Sequence, residues 1–171
     1  MRRQLAVVFT IVFIDLVGFG IVLPLMPAYA ATAHISPAQI GLLVTSFSLL
    51  QLLVSPLWGS LSDRIGRRPV LVIGLVGSTA SYVLFAFAHG FWTLLISRVV
   101  AGSMGATVGV AQAYVADITP PERRAQSLGI LGAAFALGFI MGPAIGGVLY
   151  SYSHSAAGIA AAGLCGVNAL A

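Results

Sequence analysis

Long apolar stretches separated by short polar connections dominate this chain and restrict what it can fold into. A helix needs roughly 20 apolar residues to cross a hydrocarbon layer about 30 Å thick. With 59% hydrophobic and only 7% charged residues, the chain can supply several such helices but not the polar surface of a soluble domain. We therefore predict an all-α membrane protein. Six transmembrane helices are expected in one bundle covering residues 1–171, at about 5–29, 38–58, 70–88, 91–116, 125–150 and 156–171.

The arginines are distributed unevenly among the connections. Arginines occur at the N-terminus, at 59–69 and at 119–124, whereas the connections at 30–37, 89–90 and 151–155 contain no arginine or lysine. Because positive residues collect on the cytoplasmic side of a membrane, we expect the N-terminus to be cytoplasmic. This asymmetry accounts for the net charge of +4 without a nucleic-acid partner. A cleavable signal peptide is the alternative for the first stretch, but its length and its central carboxyl favour a spanning helix.

The connection at 59–69 gathers one acid and three bases between two apolar stretches. We predict a tight turn at the membrane surface there. Gly59 and Gly66 suit positions where the backbone turns sharply, and Pro69 suits the first turn of the next helix. An ordinary basic connection is the alternative, although it would need neither the two glycines nor Asp63 at those offsets. The three bases are Arg64, Arg67 and Arg68.

Two ionisable residues lie within apolar stretches, Asp15 in the first and Arg98 in the fourth. Intramembrane charges are rare and mark substrate or proton pathways, so both are candidates for coupling a proton to a substrate. At 1.5 Å per residue their depths differ by only ~5 Å. The alternative is a structural pair, although attraction rarely recovers the cost of burying such a pair. If six helices form two triplets, the first and fourth are equivalent, as in inverted repeats that build a central cavity.

The fifth stretch carries three glycines at intervals of four residues, Gly138, Gly142 and Gly146. They form one flat face that lets a neighbouring helix approach closely. Pro143 removes a backbone donor and favours a kink, so we expect this helix to pack tightly and to shift. A plain helix-dimerisation face is the alternative.

These patterns resemble motifs of the major facilitator superfamily. The stretch at 59–69, Gly-x-Leu-x-Asp-Arg-x-Gly-Arg-Arg, resembles the loop between its second and third helices. The run at 138–147 resembles the fifth-helix motif of antiporters and exporters, and 94–106 with Arg98 looks like the fourth-helix motif. The first stretch, in which two prolines follow Asp15, is similar to that of drug:proton antiporters, particularly bacterial tetracycline and multidrug exporters. The resemblance spans the whole chain, which corresponds to the first six of twelve helices and to a 3+3 repeat.

This resemblance implies proton-coupled efflux of tetracycline or other amphipathic drugs across the inner or plasma membrane. Asp15 and Arg98 would line the cavity, Asp63 would hold the outward-open state, and Arg67 would pair with Asp117. The implied partners are protons, a small-molecule substrate, the lipid bilayer and a second six-helix half. The implied gating residues are Gly59, Asp63, Arg64, Gly66, Arg67, Arg68 and Asp117, and the antiporter helix carries Gly138, Gly142, Pro143, Gly146 and Gly147.

Two other functions stay open: a sugar or metabolite carrier of the same fold, and a truncated membrane module that only associates with other helices. No enzyme, cofactor or metal is expected, because the string at 18–20 lacks the third glycine of a nucleotide motif and no Cys/His cluster has metal-ligand spacing. The last stretch, 156–171, would be about 24 Å long and short of the hydrocarbon layer. The chain alone is therefore expected not to transport, unless two copies associate.

Overall fold

The computed structural model describes residues 2–32, 35–105 and 107–170, which are helical apart from short turns. No strand occurs in these ranges, so the predicted all-α fold is confirmed. One-turn 3₁₀ segments at Leu23–Leu25 and Pro121–Arg123 precede α2 and α7 below. The helices are α1 (Arg2–Val22), α2 (Met26–Thr32), α3 (Pro37–Ile65), α4 (Arg67–Ala86), α5 (Phe91–Met104), α6 (Thr107–Ile118), α7 (Arg124–Tyr152) and α8 (His154–Leu170).

Within the described ranges, five helical segments are long and apolar enough to cross a membrane. They are α1 with its continuation into α2, α3, α4, α5 together with α6, and α7 with the turn before it. α8 is a shorter apolar helix that packs against α1 and α4. This is the architecture of a multi-pass membrane protein.

The predicted turn at 59–69 is much shorter than expected. α3 continues to Ile65 and α4 begins at Arg67, so that Gly59 lies inside a helix. Only Gly66 leaves the helical conformation, with a φ of 97° that favours glycine. The extent of the turn, 59–69, was predicted wrongly because a helix that leaves the hydrocarbon layer keeps its own backbone hydrogen bonds and can continue with polar side chains. The polar residues before Gly66 therefore form the last turns of α3.

The fourth membrane span is interrupted, although the sequence predicts one continuous helix. α5 and α6 are separated at a turn that includes Gly105. Two donors from α3 serve backbone carbonyls at this break: Trp58 Nε1 donates to the Ser103 oxygen at 2.7 Å, and Gln51 Nε2 donates to the Gly105 oxygen at 3.1 Å. Non-helical backbone at membrane depth is tolerated where protein groups satisfy it in this way.

The glycine face of α7 packs directly on α1. A Cβ added at Gly138 would lie 2.7 Å from the Leu16 Cβ, and one added at Gly142 would lie 2.6 Å from the Gly20 Cα. Both distances are shorter than real side chains adopt, so only glycine permits this approach of the two backbones. Since α1 carries Asp15, this contact fixes the helix on which the intramembrane carboxyl stands.

Pro143 and Gly147, two other members of the predicted antiporter motif, do not contribute to this close packing in the same way. α7 stays helical through Pro143, so the proline does not interrupt the helix. Gly147 faces open space, with nothing within 4 Å of an added Cβ. Gly146 belongs to the packed face, because its added Cβ would lie 2.9 Å from the Ile21 carbonyl oxygen.

Two buried apolar clusters meet along α1 near Asp15. The first contains Val8, Val12 and Leu16 and joins α1 to α4, α6 and α7. The second contains Val17 and Ile21 and joins α1 to α2, α4, α5 and α8. Asp15 therefore lies on α1 where the two clusters meet.

Candidate functional site

A cavity of about 240 Å³ opens between α1, α3, α4, α7 and the break in the fourth span. Among the described side chains that line this cavity, Asp15 is the only charged one. Aromatic rings form much of the wall, and two of them pack on Phe19, with ring centroids 5.4 Å away for Phe47 and 5.9 Å away for Phe139. The cavity thus combines apolar aromatic walls with one carboxyl, a combination typical of sites for amphipathic molecules.

Hydroxyl and thiol groups from three helices surround the Asp15 carboxyl. The Cys165 thiol of α8 donates to Asp15 Oδ1 across 3.8 Å. Ser78 of α4 and Thr107 of α6 lie beside the same carboxyl. The Thr107 hydroxyl oxygen is buried and makes no hydrogen bond within the described part of the chain, so it is available to a protonated carboxyl or to a bound molecule. The carboxyl therefore stands among donors without a basic residue at ion-pair distance in those ranges.

Arg98 is placed away from the cavity. It is 1% exposed and does not line the cavity wall, and its Cζ lies 5.7 Å from the centre of the Phe85 ring. Its Nε and Nη2 make no hydrogen bond within the described residues. No ion pair between Arg98 and Asp15 occurs among the described residues. Arg98 lies against Phe85 of α4, whereas the Asp15 carboxyl lies beside Ser78 of α4, Thr107 of α6 and Cys165 of α8.

The Arg67 guanidinium joins three helices at the other predicted site. Its Nη1 lies 2.7 Å from Asp63 Oδ1 at the end of α3, and its Nε lies 2.9 Å from Asp117 Oδ2 near the end of α6. Nη1 also donates to the Ser62 hydroxyl. The single-residue turn at Gly66 brings the first residue of α4 back beside the last turn of α3. The structure therefore brings together the three charged residues that the sequence placed in one network.

The remaining bases of this region differ in their contacts. Arg64 and Arg68 are exposed and form no ion pair among the described residues. Arg124, which sequence reasoning assigned only to a basic connection, donates through Nε to the Ala116 and Thr119 oxygens at 3.1 and 3.3 Å. It thereby satisfies backbone carbonyls at the end of α6, where a cation is favourable.

Sequence reasoning missed several residues of the cavity. Gln51, Ser78, Tyr82 and Thr107 line it but were not singled out. One signal was present: Gln51 is an amide within an apolar stretch, and polar side chains at such depth need partners. The four phenylalanines of the cavity wall gave no signal, because aromatic residues in membrane helices also face lipid. They are Phe19, Phe47, Phe135 and Phe139.

A family model and several curated relatives match this chain over most of its length. The family model described as Major Facilitator Superfamily matches residues 8–171. The tetracycline resistance protein of class C from Escherichia coli is 42% identical over 99% of this chain and 43% of its own length. The class E protein from Escherichia coli is 39% identical over 98% of this chain and 42% of its own length. The quinolone resistance protein NorA of Staphylococcus aureus is 36% identical over 90% of this chain and 40% of its own length.

A solved structure agrees with these relatives. The crystal structure of the human organic anion transporter MFSD10 (TETRAN) matches with a TM-score of 0.85 and 31% identity, over 99% of this chain and 46% of that one. The chain thus spans about two fifths of the length of the curated relatives it matches.

Proposed function

The chain belongs to the major facilitator superfamily, and from that premise we propose that it serves proton-coupled export of amphipathic drugs. The relatives named for tetracycline and quinolone resistance support an exported drug as the substrate. Membership of a transporter family also makes an enzymatic activity unnecessary to explain the site.

The observation that carries the proposal is the carboxyl of Asp15 in an aromatic cavity. Aromatic walls accept the apolar body of a drug, while the carboxyl accepts either a proton or a cationic group of the drug. Because one carboxyl does not hold both at once, binding of one releases the other. That competition is the minimum needed to exchange a drug for a proton.

Arg98 would act on the proton site at Asp15 from outside the cavity, through its positive charge. Its guanidinium is fully buried, with two nitrogens that have no hydrogen-bond partner among the described residues. Tyr82 lies between the two charges, because it lines the cavity with Asp15 and stands one helical turn before Phe85, which faces Arg98. The field of Arg98 would thus act on the proton site through α4.

The Arg67 network is proposed as the gate at the cytoplasmic surface. Alternating access in this kind of fold requires one bundle to rock against another while surface contacts form and break. Asp63 and Asp117 hold Arg67 from two different helices, so a change in either contact alters how α3, α4 and α6 meet. We propose that the arginine-rich ends of these helices face the cytoplasm of a protein in the inner or plasma membrane, because positive residues collect on the cytoplasmic side.

The test is drug uptake into inside-out membrane vesicles from cells that co-express this chain with a second six-helix half, the partner that the resemblance implies. An imposed proton gradient should drive uptake of tetracycline or a fluorescent cationic dye, and Asp15→Asn should reduce that uptake at least tenfold at unchanged protein level. Glu122→Gln, the same chemical change in an exposed turn, is the matched control and should leave uptake intact. Full gradient-driven uptake by Asp15→Asn would reject the proton site, and gradient-driven sugar uptake instead of drug uptake would favour a metabolite carrier.

A further inference from the structure

α8 carries two polar side chains that reach the same turn of α1. Asn168 Nδ2 donates to the Ile11 carbonyl oxygen at 2.9 Å, and the Cys165 thiol donates to Asp15 Oδ1 across 3.8 Å. Ile11 precedes Asp15 by four residues within α1, so its carbonyl also accepts the Asp15 backbone N–H of the helix. Asn168 thus contacts the backbone turn that carries Asp15, and Cys165 contacts the Asp15 carboxyl.

These two polar side chains are buried in an apolar environment, where burial of a polar group costs free energy. Cys165 is 0% exposed and Asn168 is 5% exposed, in a helix that otherwise consists largely of alanine, glycine and aliphatic residues. Small residues already let α8 approach α4, since a Cβ at Gly158 would lie 2.7 Å from the Ala86 Cα. Close packing of α8 therefore does not need the amide or the thiol, and membrane burial of polar groups points to a role for them.

We propose that α8 is the element that positions the Asp15 carboxyl, with Asn168 and Cys165 as its positioning residues. This inference rests on the proposed proton site at Asp15. Asn168 fixes the register of α8 against α1, which sets Cys165 one turn earlier at the level of the carboxyl. The thiol then orients Oδ1 of the carboxyl toward α8.

The contact changes when the carboxyl takes up a proton. An ionised carboxylate accepts a charge-assisted hydrogen bond from the thiol, whereas a protonated carboxyl is itself a donor and a weaker acceptor. The other groups beside the carboxyl are Ser78 of α4 and Thr107 of α6, which are neutral, and Tyr82 of α4 faces it from the cavity wall. Protonation of Asp15 therefore weakens the contact of its side chain with α8, while the Asn168 contact with the backbone remains.

Infrared spectroscopy on the purified chain in lipid nanodiscs tests this directly. The chain has one cysteine, so its S–H stretching band reports a single site. The band should lie at lower frequency in the wild type than in Asp15→Asn at high pH, and the two should converge at low pH. Identical S–H bands in both proteins at every pH would overturn the inference. A difference that persists unchanged down to low pH would keep the positioning contact but contradict the proposed proton site.

Two further variants separate positioning from folding. Asn168→Leu should broaden the S–H band and reduce its difference from Asp15→Asn, because the register contact is lost while the branched shape of the side chain is kept. Thr79→Val removes a hydroxyl that lies beside Gly166 of α8 but bonds only the Leu75 oxygen of its own helix, and it should leave the band unchanged. An S–H band in Asn168→Leu that equals the wild-type band would refute the role of Asn168.

Vesicle transport gives an independent readout. Cys165→Ala should displace the pH optimum of exchange, and Cys165→Ser should restore it, because the serine hydroxyl is also a donor to the carboxyl. An unchanged pH profile in Cys165→Ala would argue that the thiol only fills space.

Discussion

Arg67 Nε lies 2.9 Å from Asp117 Oδ2 and ties the first residue of α4 to the end of α6. The two residues are 50 positions apart in the chain and belong to different membrane spans. The same guanidinium also holds Asp63 of α3, so three spans meet at one arginine. Such a shared contact can bias which of two helix arrangements is populated without being essential for folding.

Asp63→Asn and Asp117→Asn are therefore expected to slow transport more than they lower stability. The carboxylate side chains are 63% and 55% exposed, and ion pairs this exposed contribute only about 0–1 kcal/mol to the free energy of unfolding. Thermal unfolding in detergent should change little, whereas drug flux in vesicles should fall severalfold. Glu122→Gln makes the same carboxylate-to-amide change in an exposed turn outside the Arg67 network and is the control. Wild-type flux in both aspartate variants would contradict the gate.

The second prediction concerns the hydrogen bond that Gln51 donates at the break in the fourth span. Gln51→Leu removes the donor to the Gly105 oxygen, and an unsatisfied buried carbonyl costs about 1–3 kcal/mol. The first turn of α6, which brings Thr107 beside Asp15, should exchange its amide hydrogens faster in this variant. Ser55→Ala is the control, because that hydroxyl bonds only to the Gln51 oxygen within its own helix. Amide protection equal to wild type would mean that Gln51 does not hold the break.

Orientation in the membrane can be checked with introduced cysteines in a Cys165→Ala background. Arg64 lies in the exposed last turns of α3, and His89 lies in the exposed connection after α4. We expect Arg64→Cys to react with an impermeant thiol reagent only after cells are opened, and His89→Cys to react in intact cells. The reverse pattern would invert the proposed topology.

The sequence predicted the helices of this chain better than the contacts between them. The contacts of Arg67 with both Asp63 and Asp117 could be foreseen only from the family resemblance, since residue spacing alone does not bring Asp117 to the other two. The separation of Asp15 from Arg98 could not, since helix depth follows from residue number but rotation about the helix axis depends on packing. The break at Gly105 was missed because its donors, Gln51 and Trp58, lie on another span about fifty residues earlier.

The glycine face of α7 gives the sharpest test of the packing that holds α1 in place. Gly142→Leu would set a side chain against the backbone of α1, where even a Cβ lies 2.6 Å from Gly20 atoms and 2.9 Å from the Ile21 nitrogen. Overpacking of this kind costs about 1–3 kcal/mol or more, so the unfolding midpoint in detergent should fall by several degrees. Gly129→Leu is the matched control on the same helix, because this exposed glycine lies outside the antiporter motif and an added Cβ there meets nothing within 4 Å. Since α1 must move to accommodate the leucine at Gly142, drug flux should fall in that variant and persist in the control. Equal melting curves for the two variants would show that α1 and α7 do not pack as closely as these distances require.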